Sequence, residues 1–518
     1  MGLFKSTLTV GGFTMLSRVL GFVRDMVFAY YFKPGPATDA FFVAFKIPNF
    51  MRRLFAEGAF SQAFVPVLSE YKSQRTPAEV QAFVGDVTGT LGGVLSLVTL
   101  LAVVGSPALV MVFAPGFIGS GAKFGLTAEM LRITFPYLLF ISLTAMAGGI
   151  LNSYGRFAVP AATPVWLNIC LIGAAVGGAG WFEPPVQVLA WGVLLAGFVQ
   201  LGFQLPFLGR LGLLVRPRWG WGHEGVRRVL KLMLPAIFGS SVAQINLLVD
   251  TIIASFLVSG SVTWLYYSDR LMEFPLGVFG IALGTVILPH LSRNHAEKDP
   301  ESFARTLDWS LRWVLLIGLP AALGLILLAG PILSTLFFFR HGAFTAADVQ
   351  MARLSLMAYG FGLPAFMLVK VLAPGFYARQ DTRTPVRIGV VAMLTNMTLN
   401  LAFVVPMARS GIPGPHAGLA LATSLATFVN AALLFRGLRR DGAYRAAPGW
   451  GGFALRVGVA NALMAALLWW GADGLDGWLE QGTPQRIVHL ATIVVAAIVV
   501  YLATLWATGV RPRQLLGR

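Results

Sequence analysis

Tyr154-Gly155-Arg156 opens a polar connection that reaches Thr163-Pro164-Val165, and Tyr377-Ala378-Arg379 opens one that reaches Thr384-Pro385-Val386. Each connection stands between two apolar runs, and the two lie about 220 residues apart. Pro66-Val67-Leu68-Ser69 and Pro289-His290-Leu291-Ser292 close two other apolar runs at the same separation. Apolar runs of roughly 20 residues cross a bilayer as helices. The separation corresponds to six such runs, an even number, so the repeat keeps its orientation. This predicts two six-helix lobes related by an axis along the membrane normal, with a cavity between them.

Composition agrees with this reading. The chain has 518 residues, 56% hydrophobic and only 12% charged, with a mean hydropathy of +0.73. Soluble domains carry about 25% charged residues, so this chain has too little polar surface to cover a soluble core. The expectation is an all-α polytopic membrane protein of about fourteen spans. Their centres fall near Val19, Phe50, Leu97, Phe140, Ile169, Leu195, Ile245, Phe279, Leu319, Met357, Leu394, Ala426, Met464 and Val495. Strands of alternating polarity are absent, which excludes a barrel. An N-terminal lobe is expected over residues 1–215, an amphipathic linker and C-terminal lobe over 216–440, and an appended two-helix hairpin over 441–518. Trp219-Gly220-Trp221, followed by Val226, Val229 and Leu230, reads as an interfacial amphipathic helix. Pro48, Gly58 and Pro66 predict bends in the second span, and Pro275, Gly277, Gly280 and Gly284 in the eighth. No cleavable signal peptide is expected, because Arg18 and Arg24 interrupt the first run and no small-residue cleavage site follows.

Lys and Arg number 39 against 22 Asp and Glu, a net charge of +17. On a soluble protein such an excess points to nucleic acid. Here the charge is patterned. Arg156, Arg210, Arg216, Arg218, Arg227, Arg228, Lys231, Arg379, Arg383, Arg436, Arg439 and Arg440 all fall in alternate connections. The other connections hold single charges such as Lys33, Lys123, Arg340, Arg409 and Arg486. This is the positive-inside pattern, which places both termini in the cytoplasm and removes the case for nucleic acid. The single cysteine, Cys170, allows no internal disulfide.

A charge at bilayer depth costs about 2.5–3.5 kcal/mol on insertion scales, so Arg18, Arg24, Arg52 and Arg270 need a reason. Arginine's planar fork donates two parallel hydrogen bonds to a phosphate. Four intramembrane arginines therefore point to an anionic, phosphorylated cargo. Asp25, seven residues from Arg18, shares its helix face and is also close to Arg24, so an intramembrane salt bridge that fixes packing is the competing reading. Ser17, Asp39 and Asn49 share these spans, and Arg270 with Glu273 makes an i,i+3 pair. Asp250, Asn396, Asn400 and Thr423 offer hard oxygens that suit Na⁺, although interhelical hydrogen bonding explains them equally. Six scattered histidines, no Cys/His metal spacing and no P-loop leave catalysis and a bound cofactor without support.

Ser17-Arg18-Val19-Leu20-Gly21-Phe22-Val23-Arg24-Asp25 resembles the signature of the MurJ/MviN family. Thr38-Asp39-Ala40-Phe41, Lys46-Ile47-Pro48-Asn49 and the run from Arg52 to Phe60 resemble it too, as do Tyr267, Asp269-Arg270-Leu271 and Glu273-Phe274-Pro275-Leu276-Gly277. The resemblance covers essentially the whole chain. It implies a lipid II flippase of the MOP exporter superfamily in the bacterial inner membrane. Such a protein moves the undecaprenyl-pyrophosphate-linked peptidoglycan precursor from the cytoplasmic to the periplasmic leaflet by alternating access. The resemblance further implies functional roles for Arg18, Arg24, Arg52, Arg270, Asp39 and Glu273, and a monomer working with membrane lipids and the cell-wall synthesis machinery. It also implies a tail groove on the last two spans. Some members bind Na⁺ near positions corresponding to Asp250, Asn396, Asn400 and Thr423. Asn400 stands here where those members carry a carboxylate, which keeps protons or the membrane potential open as the driving force. A flippase for another polyprenyl-linked glycan and a cation-coupled multidrug exporter of the same fold are the alternatives; buried arginines favour an anionic cargo over the latter.

Overall fold

A computed structural model describes residues 3–53 and 60–510. The expected bend at Gly58, the acid Glu57 and the basic residues Arg511, Arg513 and Arg518 lie outside the described residues. The chain forms two compact units, Met1–Val262 and Thr263–Arg518. The first holds α1 (Leu3–Tyr31), α2 (Pro36–Arg52), α3 (Ser61–Gln74), α4 (Pro77–Val104), α5 (Ser106–Phe113), α6 (Gly121–Thr134), α7 (Tyr137–Ser153), α8 (Ala158–Gly178), α9 (Gln187–Arg210) and α10 (Glu224–Ser255). Then come α11 (Ser261–Pro275), α12 (Ile281–Ala296), α13 (Pro300–Leu327), α14 (Ala329–Phe337), α15 (Ala346–Tyr377), α16 (Arg383–Arg409) and α17 (His416–Arg440). The hairpin adds α18 (Trp450–Gly471), α19 (Leu475–Glu480) and α20 (Thr483–Ala507). No strand occurs among the described residues.

Among the described residues, ten segments are long and apolar enough to cross a membrane, the pair α6–α7 counting as one. The expected spans centred near Val19, Phe50, Ile245 and Phe279 are not among them. In α1 the charges of Arg18, Arg24 and Asp25 interrupt the apolar run. Of the second expected span the described pieces are α2 and α3, and the eighth comprises α11 and α12, each piece shorter than a bilayer crossing. After Pro275 a π-helical turn, Leu276–Gly280, separates α11 from α12, at the bend the proline and glycines predict. The fourth, α10, is a single helix of 32 residues.

The sequence repeat is also a repeat of backbone. α7 ends with Gly155 at φ 73° and Arg156 N–H donating to Leu151 O at 2.8 Å. α15 ends with Gln380 at φ 60° and Asp381 N–H donating to Phe376 O at 3.1 Å. Both are Schellman closures with one left-handed residue. At the opposite kind of boundary, Thr76 caps α4 ahead of Pro77 in a reciprocal box with Glu79, and Asp299 caps α13 ahead of Pro300.

The linker between α9 and α10 departs from expectation. It is not a separate amphipathic helix: 213–220 carry no helix, and Val226 and Val229 are buried in the first turns of α10. The cause is a glycine stripe on α4. Gly85, Gly89 and Gly93 recur every fourth residue, on one face, and the linker lies along them. Arg218 N–H donates to Gly85 O at 3.0 Å, and Gly220 N–H to Thr90 Oγ1 at 3.0 Å. A Cβ on Gly89 would sit 2.1 Å from Arg218 O.

In the second unit α18 and α20 pair with each other and seat on α13 and α14 around Val457, Met464, Leu468 and Tyr501. Asp308 of α13, only 4% exposed, anchors the approach to this hairpin. Its carboxylate accepts from Tyr444 Oη at 3.0 Å, Ala447 N at 3.1 Å, Trp450 Nε1 at 2.6 Å and Arg312 Nε at 2.9 Å. Burial and the Asp308 carboxylate push the Tyr444 phenol up, so it stays a donor.

Gly89→Val should overpack the linker contact by about 1–3 kcal/mol and speed tryptic cleavage at Arg218. Gly92→Ala, where a Cβ meets nothing within 4 Å, should leave cleavage unchanged.

Candidate substrate-binding site

The arginines of the sequence reading fall on the charged or broken helices. Arg18 and Arg24 lie on α1, Arg52 ends α2, and Arg270 lies on α11 just before the π-helical turn. Their surroundings differ sharply.

Arg24 is buried at 5% exposure and Asp25 at 2%. Arg24 Nε and Nη2 lie 3.0 and 2.7 Å from Asp25 Oδ1, and Nη1 donates to Asn168 Oδ1 of α8 at 3.1 Å. Asn168 Nδ2 in turn donates to Ser17 O at 3.0 Å. Asp25 thus pairs with Arg24, not with Arg18 on its own expected face. The cluster ties α1 to α8, and Asn168 is a participant that the sequence reading missed. Arg18 is half-buried and has no hydrogen-bond or ion-pair partner among the described residues. Half-buried Arg52 donates from Nε to Asn49 Oδ1 at 3.2 Å.

Asp39 is fully buried, and its partner is a lysine. Lys123 Nζ of α6 lies 3.0 Å from Asp39 Oδ2, and Gly260 N–H donates to the same oxygen at 2.7 Å. Lys123 is 6% exposed and sits 4.0 Å from the centroid of Phe117. By sequence Lys123 reads as a lone loop charge, and its one signal of a buried role is the aromatic pair Phe117 and Phe124 nearby. Gly260, at φ 102°, is in the turn between α10 and α11. Asp39 therefore holds together the start of α2, α6 and that turn. Beside it Gly116 N–H donates to Ser255 Oγ at 3.0 Å, an approach so close that a Cβ on Gly116 would stand 2.4 Å from the Ser255 backbone.

In the second unit one face of α11 is packed and the other is open. Trp264 Nε1 donates to Asp348 at 2.8 Å, Ser268 Oγ to Ala352 O at 2.8 Å, and Tyr267 is buried against Phe337 and Phe344. On the open side Arg270 Nη1 lies 2.9 Å from Glu273 Oε2, with side chains 35% and 43% exposed. Arg270 also lies 5.9 Å from the Tyr266 ring.

Asp250 is half-buried on α10, in the first unit, whereas Asn396 and Asn400 on α16 and Thr423 on α17 belong to the second. Thr423 Oγ1 donates to Asn396 Oδ1 at 3.4 Å, joining α16 to α17. No cluster of three or more His, Cys, Asp or Glu occurs among the described residues. Arg486 is a second missed group. Only 1% exposed, it opens α20 and donates to Ser334 O of α14.

The model of the family described as lipid II flippase MurJ matches residues 28–484. The chain belongs to this family. It is 48% identical to the "Probable lipid II flippase MurJ" of Vibrio cholerae serotype O1, over 99% of this chain and 97% of that protein. With the "Lipid II flippase MurJ" of Burkholderia cenocepacia it shares 42%, over 98% of each. A solved "Lipid II flippase MurJ, inward closed conformation" superposes with a TM-score of 0.78 at 26% identity, covering 96% of this chain and 98% of that one. An inward-facing multidrug transporter of the MATE family, in the MOP superfamily, superposes at 0.63 with 14% identity over 84% of this chain and 98% of its own, a likeness of fold alone. Family membership makes this a multi-pass membrane transporter.

Arg24→Ala should strand a buried carboxylate and cost about 3–5 kcal/mol of stability, read as a lowered Tm in detergent. Arg18→Ala should stay within about 0.5 kcal/mol while transport is lost. For the second pair, Asp39→Ala and Lys123→Ala should each destabilise by about 3–5 kcal/mol, and the double variant by much less than their sum, as a double-mutant cycle would measure.

Proposed function

We propose that this chain flips lipid II, the undecaprenyl-pyrophosphate-linked peptidoglycan precursor, from the cytoplasmic to the periplasmic leaflet of the bacterial inner membrane. The observation that carries the reading is full-length similarity to named lipid II flippases in a chain that keeps arginines on its charged and broken helices. A multidrug exporter would need acids for cationic cargo, and its likeness to this chain is one of fold alone.

Arg18 is the readiest ligand for the pyrophosphate, because no protein acceptor competes for its fork. Arg52 and Arg270 are half-exposed, each held by a side chain that a stronger anion can displace: Asn49 and Glu273. A partly exposed pair such as Arg270–Glu273 is worth little by itself, so exchanging Glu273 for a pyrophosphate that carries two negative charges is favourable. Arg24 acts at one remove, fixing α1 against α8 so that Arg18 is presented. Ser17, Asp25 and Asn49 support the same two helices.

The Asp39–Lys123–Gly260 contact serves as a closure that must open and reform during alternating access. The bend between α11 and α12 gives that movement a place to occur. Both termini face the cytoplasm. The protein works as a monomer beside the cell-wall synthesis machinery and performs no catalysis. The hairpin α18–α20 receives the isoprenoid tail; Leu455, Trp469, Trp470 and Trp506 are exposed on it. For coupling to Na⁺ or a proton the candidate groups are Asp250 in the first unit and, separately, Asn396, Asn400 and Thr423 in the second.

Depletion of the protein in growing cells should cause lipid II to accumulate in the cytoplasmic leaflet; accumulation of another polyprenyl-linked glycan would overturn the reading. In proteoliposomes at fixed potential, a Na⁺ gradient should drive transport and Asp250→Asn should weaken that dependence. No response in the unmodified protein leaves protons or the potential.

A further inference from the structure

An apolar cavity of ≈ 200 Å³ opens among α3, α4, α7 and the start of α10. Its walls include Val94, Val98, Leu138, Ser142, Trp221 and Met233, and no polar atom faces it. It is larger than the about 150 Å³ of an engineered apolar cavity that binds benzene. Water gains nothing there, since it would find no hydrogen-bond partners.

The position says what does enter. Val98 lines the cavity and is also 38% exposed, next to Leu97, Leu100 and Leu101, which are exposed on the outer face of α4. The cavity is therefore continuous with a face of the helix that meets hydrocarbon. At its other end Trp221 stacks on Trp219 with centroids 5.9 Å apart, both rings largely exposed. Exposed tryptophans of this kind mark the headgroup level. Around them Arg216, Arg218, Arg227 and Lys231 are exposed, while Arg228 is taken by Glu70 at 2.8 Å. The acids on the same rim are Asp86 and Glu224, so positive charge prevails.

We propose that this cavity binds one acyl chain of an anionic phospholipid, with Arg218, Arg227 and Lys231 at its phosphate. A bare hydrocarbon chain needs the cavity alone; the basic rim selects the charged headgroup. The site is independent of the arginines assigned to cargo. Because the linker supplies Trp221 and Arg218, a bound lipid also holds the linker against the glycine stripe of α4.

The test uses the full chain in phosphatidylcholine nanodiscs that contain a phosphatidylglycerol bearing a diazirine on one acyl chain. After irradiation, adducts should map to Val94–Val98, Leu138–Ser142 and Met233. Unlabelled phosphatidylglycerol should compete at about tenfold lower concentration than phosphatidylcholine. Ser142→Leu and Val94→Phe should remove these adducts while labelling of the exposed face of α20 persists, which reports that the variants are folded. Arg218→Gln with Lys231→Gln should abolish the headgroup preference but keep the labelling. Equal competition by the two phospholipids, or labelling no stronger than on α20, would overturn the proposal. Preferential competition by undecaprenyl phosphate would overturn it too, by making the occupant an isoprenoid.

Discussion

A guanidinium or ammonium withdrawn from water must be met by acceptors, and this requirement organises most of the polar structure in the chain. Arg24 is buried and has Asp25 and Asn168; Lys123 is buried and has Asp39; Arg486 is buried and has the Ser334 carbonyl and Thr483. In each case one acceptor lies on another helix (Asn168, Asp39 or the Ser334 carbonyl), so the cost of burying charge is turned into a fixed helix pairing. Removing either member would leave its partner stranded at low dielectric. The exceptions are then informative. Arg18, Arg52 and Arg270 are only half-buried, so the same requirement falls on them less heavily.

The same economy of acceptors explains where the backbone breaks. A helix can leave its regular hydrogen-bonding pattern inside a membrane protein only where other groups satisfy the freed carbonyls and amides. The eighth span leaves regular geometry just after Arg270 and Glu273, so bending and charge occur together there. The π-helical turn at Leu276–Gly280 follows Pro275 directly, one turn beyond Glu273. A change in the Arg270–Glu273 pair therefore acts beside a point where the helix already departs from regular geometry.

Local rules in the sequence predicted local structure well. The paired Tyr154 and Tyr377 connections became matching Schellman turns, because the closure depends on a few residues at fixed spacing. The pairing of Arg270 with Glu273 was legible for the same reason, being one turn of one helix. Contacts across helices were not. Nothing local to Asp39 names Lys123, 84 positions away, and nothing near Arg24 names Asn168, 144 positions away. The linker failed as a helix prediction because its fate depended on Gly85, Gly89 and Gly93 of another element. A periodic apolar pattern cannot report that a groove elsewhere will hold the chain extended.

The sequence by itself determined that this is an all-helical membrane protein built on a repeat, and it named the arginines and the family. Those properties follow from hydropathy, spacing and motif, which are written along the chain. Only the tertiary structure decided which charges are buried in helix pairings and which stay partly exposed. That division depends on burial and on partners brought from distant positions, and a one-dimensional pattern holds neither.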